Sequence, residues 1–169
     1  MITVHRVSKW KYAALTDLDE HGYGAARFGS RWNTPDPALT FNRRIIYASD
    51  TLPLAMLEVI VHVDAEVLRH VPHGHVTFQI DETFIRDLEA SALPASWNAR
   101  PETPASQVIG DEWYDTQASV VLRVPSAILP LDSYGPMHAN YLINAHHPNV
   151  QQAVQRRNAT PMPFDPRLK

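Results

Sequence analysis

The chain contains no cysteine, which excludes disulfide bonds and thiol chemistry and is typical of a reducing compartment. It also lacks an apolar run long enough to span a bilayer. The longest, "LPLAMLEVIVHV" at 52–63, is too short and is interrupted by Glu58. The first residues, "MITVHRVSKWKY", contain no apolar core of a signal peptide. These absences predict a cytoplasmic protein without a membrane segment.

Positive charge is sparse and is not clustered. The formal net charge is -3, and "FNRRI" and "QRRN" each supply only a pair of arginines. Because nucleic-acid binding normally requires a basic face, we do not expect direct contact with nucleic acid. The P-loop, the G-x-G-x-x-G loop and the G-x-S-x-G elbow are missing as well, which argues against the common nucleotide-binding loops and a serine-hydrolase mechanism.

The 169 residues are enough for one domain with a substantial core. Fourteen prolines against six glycines predict short elements separated by pinned loops. Apolar, β-branched stretches predict strands at 2–7, 44–49 and 75–81, one or two strands within 119–131 separated at Pro125, and a strand or helical turn at 83–88.

Helices are predicted after a cap at Asp50 or Thr51, with Pro53 in the first turn, and at 105–116 and 150–157. Residues 8–44 are expected to be irregular, 92–104 to form a proline-rich loop, and 162–169 to be a terminal strand or an extended tail. Strands and isolated helices without a regular βαβ alternation predict an α+β fold.

Glu58 is a carboxylate within a predicted helix that is otherwise apolar on nearly every side. It shares one helix face with Leu54 and Val61, and such a helix is expected to be sandwiched inside the protein. A buried carboxylate is costly unless it is paired or protonated. Glu58 therefore belongs either to a structural pair or to a functional cleft. His62 lies four residues later, but no second histidine completes H-E-x-x-H, so we expect no metal site.

Four other polar residues are candidate partners of Glu58. Arg31, within "FGSRWNTP", can offer a two-pronged guanidinium to a carboxylate or a phosphate. Tyr47 lies in a predicted buried strand, where its hydroxyl needs a partner. Arg6 lies at the end of the first strand and is either an edge residue or a site residue. Ser126 follows Pro125 at a strand break and is either a local turn residue or a site residue.

Arg6 and six segments occur in an order and spacing that resemble the RES domain family, which is named for its Arg, Glu and Ser. The segments are "FGSRWN", "IIYASDTLPLAMLEVIVHV", "IGDEWY", "LRVPSAILP", "NYLINAHHP" and the closing "FDPRL", with Arg6 before them. The resemblance extends from Arg6 to about Leu168 and implies a single RES domain over residues 1–169. It also implies a fold related to ADP-ribosyltransferase toxins, with a twisted β core and a few helices.

The resemblance implies a function as well. Members of the family are toxins of toxin–antitoxin pairs and are neutralised by an Xre-type antitoxin. They degrade NAD+ by cleaving the nicotinamide–ribose bond, with water or inorganic phosphate as the attacking group. NAD+ is then a substrate, and no cofactor is expected.

Site roles follow residue by residue from this resemblance. Three residues are implied to be catalytic: Arg31, Tyr47 and Glu58. Four are implied to bind NAD+: Arg6, Arg31, Ser126 and Asn144. The chain departs from the family pattern at Ser30, which replaces a glycine before Arg31, and at Ala145, which replaces a proline after Asn144. The change at Ser30 bears on the geometry of a loop near the ligand.

Two alternatives stay open at this point. The first keeps the fold and transfers ADP-ribose to a protein or a nucleic acid. The second is a binding module without turnover, in which Glu58 and Arg31 form a buried structural pair.

Overall fold

Eight strands form one mixed sheet in the computed structural model, which describes residues 1–168. The strands are β1 (Ile2–Lys9), β2 (Ile45–Ser49), β3 (His73–Ile80), β4 (Ile85–Asp87), β5 (Val121–Pro125), β6 (Ala139–Asn144), β7 (Val154–Arg156) and β8 (Thr160–Pro161). The α-helices are α1 (Trp10–Ala13), α2 (Tyr23–Phe28), α3 (Leu52–Ile60), α4 (Ala65–His70), α5 (Pro104–Asp115) and α6 (Val150–Ala153). The predicted α+β fold is confirmed.

The strand pairing shows where the hydrogen-bond ladder of the sheet is interrupted. The strand order is β4-β5-β6-β2-β1-β3-β7, and β8 also pairs with β3. Only β4 and β5 are parallel among these pairs. Strands β1 and β3 pair along their whole length, from Ile2 with Ile80 to Lys9 with His73. The register between β1 and β2, in contrast, consists of one pair, His5 with Ser49. The hydrogen-bond ladder is therefore interrupted between β1 and β2.

The two faces of the sheet support two apolar clusters. Successive strand residues point to opposite faces, so Ile46 and Ile143 join one cluster while Ile45 and Leu142 join the other. The second cluster is rich in buried aromatic residues: Trp32, Trp97, Trp113 and Tyr114. Tyr47 packs against its border. The aromatic cluster thereby fixes the loop around Trp32 next to strand β2.

Helix α3 begins where the sequence predicts. Thr51 is the N-cap, and its hydroxyl accepts a hydrogen bond of 3.3 Å from the Leu54 amide. The expectation that the helix is sandwiched is wrong, because Leu57 and Val61 are 40% and 38% exposed. Leu54 and Ala55 are its buried residues. The helix therefore covers the sheet with one face, and Glu58 lies half-buried at the border.

Several predicted boundaries hold and others need correction. The segment 119–131 contains a single strand, β5, which ends at Pro125, and 83–88 divides into a 3₁₀ turn and β4. The predicted helix 150–157 stops at Ala153, because the next residues pair with β3 as β7. Strand β6 and the short helices α2 and α4 were not predicted. The predicted tail contains no strand over 162–168, and Lys169 lies outside the described residues.

Within the described chain, no helix combines the length and the apolar character needed to cross a bilayer.

Candidate active site

Glu58 faces two adjoining cavities at the interruption of the sheet. The larger cavity, of about 190 Å³, is lined by β1 residues that include His5 and Arg6. The smaller, of about 50 Å³, includes Arg31 and Arg100. Residues shared by both cavities are Ser30, Tyr47, Glu58, His62 and Asn140. The Glu58 carboxylate thus lies where the sheet interruption, helix α3 and the loop around Arg31 meet.

The Glu58 carboxylate is held by one of its two oxygens. Ser126 Oγ donates to Glu58 Oε1 over 2.8 Å, and Asn140 Nδ2 donates to the same atom over 2.5 Å. Glu58 Oε2 has no hydrogen-bond partner among residues 1–168. Hydrogen bonds from neutral donors stabilise an ionised carboxylate without neutralising it. The carboxylate is therefore oriented, with its second oxygen free to accept from a ligand.

The sheet brings both donors to the same place. Val124 and Asn140 are partners in the β5–β6 register, and Ser126 follows β5 directly. Asn140 is also the register partner of Ser49 in β2. Ser49 Oγ donates to Asn140 Oδ1 over 2.7 Å, which fixes the amide orientation and turns its NH₂ group toward Glu58. Ser49 and Asn140 therefore act through Glu58 as positioning residues.

Tyr47 is fixed by its hydroxyl group. It donates to Asn33 Oδ1 over 2.6 Å, and the Asn33 amide in turn donates to the Ala25 carbonyl over 2.6 Å. Burial raises the pKa of the Tyr47 phenol, so the group stays protonated at neutral pH. Since Tyr47 lines both cavities, its ring forms a rigid wall beside the carboxylate.

Arg6 spans the interruption between β1 and β2. Its Nη1 donates to the Tyr47 carbonyl over 2.7 Å. Its Nε is buried and has no partner in the described chain. Burial lowers the pKa of the Arg6 guanidinium to about 10, so the side chain remains a cation at neutral pH. Arg6 thus supplies positive charge to the larger cavity, which it lines.

Arg31 is buried and anchors a neighbouring loop. Its Nη1 donates to the carbonyls of Trp97 and Ala99, over 2.7 and 3.1 Å. Its Nη2 lies 3.8 Å from Glu102 Oε1. Burial lowers the pKa of its guanidinium, and Glu102 opposes this shift. Among the described residues no cation lies within 4.0 Å of the Glu58 carboxylate, so the structural Glu58–Arg31 pair of the binding-module alternative does not form.

The loop before Arg31 accommodates the departure at Ser30. Gly29 has a φ of 74°, and a Cβ there would lie 2.8 Å from Pro35, so this position requires glycine. Ser30 has no positive φ. Its amide donates to the Asn33 carbonyl over 3.0 Å, closing the loop around Arg31. The required glycine of this chain is thus Gly29, and a serine fits after it.

Asn144 lies at the other end of β6 and lines neither cavity. It is fully buried. Its Oδ1 accepts from the His146 amide over 3.0 Å, and its Nδ2 donates to the Tyr114 carbonyl over 3.4 Å. These contacts stabilise the loop after β6. The predicted NAD+-binding role of Asn144 stays a prediction, without support from its position.

Two residues that orient the Glu58 carboxylate were not predicted from the sequence, Asn140 and Ser49. Asn140 opens the segment "NYLINAHHP", four residues before Asn144 and on the same face of the strand. Asn140 could not be recognised as a site residue because β6, the strand that contains it, was not predicted. His62, which the sequence suggested only as part of an incomplete metal motif, lines both cavities. Within residues 1–168, no group of three or more potential metal-ligating side chains is placed to hold an ion.

The fold and the site define an α+β protein with a carboxylate-centred cleft flanked by arginines and a tyrosine. The sequence model of the RES domain family matches residues 3–165. The chain therefore belongs to the RES domain family.

Comparisons with individual proteins agree with this assignment. The chain is 30% identical over 167 residues to "Toxin Res" of Yersinia enterocolitica, covering 98% of this chain and 99% of the relative. It is 30% identical over 153 residues to "Prs ADP-ribosylating toxin" of a Sphingobium species, covering 89% and 86%. A chain in the crystal structure of the M. tuberculosis MbcT–MbcA toxin–antitoxin complex superposes with a TM-score of 0.69 and 20% identity, covering 95% of this chain and 84% of that one. That likeness shows a shared fold.

Proposed function

We propose that this chain is the toxin of a toxin–antitoxin pair and that it degrades NAD+ by cleaving the bond between nicotinamide and ribose. The names of the curated relatives support the toxin assignment. The observation that carries the chemical assignment is the Glu58 carboxylate, oriented through Oε1 while Oε2 has no partner among the described residues.

The reaction needs a negative group near the sugar. Nicotinamide leaves as a neutral base and takes the electron pair of the bond, so positive charge develops on the ribose, as in glycoside hydrolysis. An ionised Glu58 accepts hydrogen bonds from ribose hydroxyls and stabilises this charge more in the transition state than in the ground state. An oxygen of water or of phosphate then forms the new bond to ribose. Attacking water releases one proton to solvent, whereas an anionic oxygen of phosphate attacks without losing a proton.

The other residues have binding roles in this proposal. Arg6, a cation that lines the larger cavity, pairs with the diphosphate. Arg31 contributes positive charge at the smaller cavity and holds the adjacent loop. Tyr47 provides a flat wall for the pyridinium ring. Ser126 acts through Glu58 by its hydrogen bond, and its implied contact with NAD+ stays a prediction.

One experiment tests the central assignment. Purified protein is incubated with NAD+ with and without inorganic phosphate, and the products are separated as ADP-ribose and phosphorylated ADP-ribose. Glu58→Gln keeps an Oε1 atom that can accept from Ser126 and Asn140, so it removes the charge and little else. We expect turnover to fall about 100- to 1000-fold. Glu66→Gln, on exposed α4, is the matched control. Near wild-type turnover by Glu58→Gln contradicts the assignment.

ADP-ribosyl transfer to a macromolecule is the second candidate, because one relative is named an ADP-ribosylating toxin. Mass spectrometry distinguishes the two: transfer leaves an ADP-ribose adduct on a protein or nucleic acid, whereas NAD+ degradation releases free product. The proposed Xre-type antitoxin is tested in cells. Expression of the chain should deplete NAD+, and coexpression of the neighbouring gene should prevent the depletion.

A further inference from the structure

His5 and His75 form a histidine pair beside the larger cavity. Their ring planes are nearly parallel, with centroids 5.2 Å apart and an interplanar angle of 11°. His5 Nδ1 lies 3.0 Å from His75 Nε2. The residues are on neighbouring strands, β1 and β3, so the sheet fixes both rings. None of the roles described above uses this pair.

A hydrogen bond between two imidazole nitrogens needs one proton between them. Burial lowers the pKa of His5 and of His75, and each ring is therefore neutral at neutral pH. Each neutral ring carries one proton, so two arrangements exist. If His75 donates, the proton of His5 is on Nε2. If His5 donates, its Nε2 is an acceptor.

The position of His5 favours the first arrangement, in which His75 donates and the proton of His5 is on Nε2. His5 lines the larger cavity next to Arg6 in β1, and it is the register partner of Ser49, which supports Asn140. Its Nδ1 is engaged by His75, and its Nε2 has no partner among residues 1–168. A dinucleotide presents mainly acceptor oxygens, on its phosphates, riboses and carboxamide. A donor at this wall therefore matches the ligand.

We propose that His5 is a further substrate-binding residue, which donates a hydrogen bond from Nε2 to an oxygen of bound NAD+. His75 is the positioning residue: it donates to His5 Nδ1 and so keeps the His5 proton on Nε2. This role rests on the proposed NAD+ turnover and extends the substrate contacts of the site to the β1 wall.

Two substitutions at His5 distinguish the roles of its two ring nitrogens. The amide of His5→Asn reproduces the position of Nδ1 and can keep the contact with His75, but it lacks the donor at Nε2. The amide of His5→Gln reaches the position of Nε2 and can still donate to the ligand. We expect His5→Asn to raise the KM for NAD+ about tenfold with kcat within about twofold, as for the loss of one ligand hydrogen bond. His5→Gln should restore most of the affinity.

His75→Phe tests the positioning role. It keeps an aromatic ring but removes the donor to His5, so we expect a smaller rise in KM, about threefold to fivefold. His70→Phe, an exposed histidine on α4, is the control and should leave KM and kcat unchanged. Thermal unfolding of each variant establishes that the fold is intact.

A binding measurement separates this inference from the proposed function. Calorimetry with NAD+ in the Glu58→Gln background, with and without His5→Asn, reports affinity independently of turnover. A wild-type protein that leaves NAD+ intact overturns the proposed function. Equal KM and equal affinity for His5→Asn and wild type overturn the role of His5, and so does a loss of kcat at unchanged KM.

Discussion

Ser126 donates a hydrogen bond of 2.8 Å to the Glu58 carboxylate, although 68 positions separate the two residues in the chain. The pairing forms because the end of β5, where Ser126 follows Pro125, meets the last turn of α3. The same carboxylate oxygen also accepts from Asn140. Its orientation is therefore shared between two donors, and each can be removed separately.

We expect Ser126→Ala to lower kcat about tenfold, because a hydrogen bond to a charged group contributes on the order of 1.5–3 kcal/mol and Asn140 still holds the carboxylate. Steady-state turnover of NAD+ measures the effect. Ser91→Ala, at an exposed site, is the control. An unchanged kcat would show that Asn140 alone orients Glu58.

Asn140→Asp should have a larger effect with a distinctive pH dependence. It places a second carboxylate within hydrogen-bond distance of Glu58, and two such groups cannot both ionise freely. We expect turnover at pH 7 to fall about 100-fold. Part of it should return at lower pH, where the new carboxyl is protonated and can donate again. The pH profile of kcat, compared with that of Asn98→Asp at an exposed site, checks this; a profile parallel to wild type would refute it.

Gly110→Ala should destabilise the fold because α5 packs its backbone directly against Trp32. A Cβ at Gly110 would lie 1.7 Å from the Trp32 carbonyl oxygen. We expect a loss of about 3 kcal/mol in the free energy of unfolding. Gly24→Ala in α2 is the matched control, since a Cβ there meets nothing within 4 Å and should stabilise by about 0.5–1 kcal/mol. Urea unfolding measures both, and equal effects would contradict this packing.

His21 should make stability depend on pH below neutrality. It is buried against Phe78, and burial, helped by the charge of Arg6, lowers its pKa to about 4 from an ordinary value of 6.5. As the pH falls from 7 to 5, the unfolded chain takes up a proton and the folded chain does not. The free energy of unfolding should fall by about 2 kcal/mol from this group, and the loss should level off below pH 4.

His21→Gln provides the comparison, because its amide can still donate to the Leu15 carbonyl that His21 contacts but does not titrate. Its loss of stability between pH 7 and pH 5 should be smaller by about 2 kcal/mol. His70→Gln, at an exposed site, should retain the wild-type pH dependence. Parallel curves for His21→Gln and wild type would show that His21 titrates normally.

Much of the fold could be predicted because its main elements carry strong local signals. Strand β1 alternates, β2 is a short apolar run, and α3 has a cap at Thr51 with a proline in the first turn. Strand β6 is buried along nearly its whole length with an asparagine near each end, so it shows no alternation. Helix α6 ends at Ala153 because strand pairing with β3 overrides local helical preference.

The site was predicted less completely, for a physical reason. Glu58, Tyr47 and Arg6 each place a charged or polar group among apolar neighbours. Such residues can be recognised in the sequence as site candidates. Asn140 becomes important only through register, since β2 and β5 place Ser49 and Ser126 beside it. Register across strands that are far apart in sequence leaves no local signal. Asn144 matched the family motif, yet its partners are backbone groups of a loop.

One residue pair, His5 with Ser49, joins β1 to β2, so no continuous ladder sets the separation of the two strands. The guanidinium of Arg6 braces the gap against the Tyr47 carbonyl. The aperture of the cleft is thus governed by a few side chains, while the paired strands on either side keep their own geometry. Substitution of these few side chains can therefore change the width of the cleft for a larger or smaller ligand, while the paired strands stay as they are.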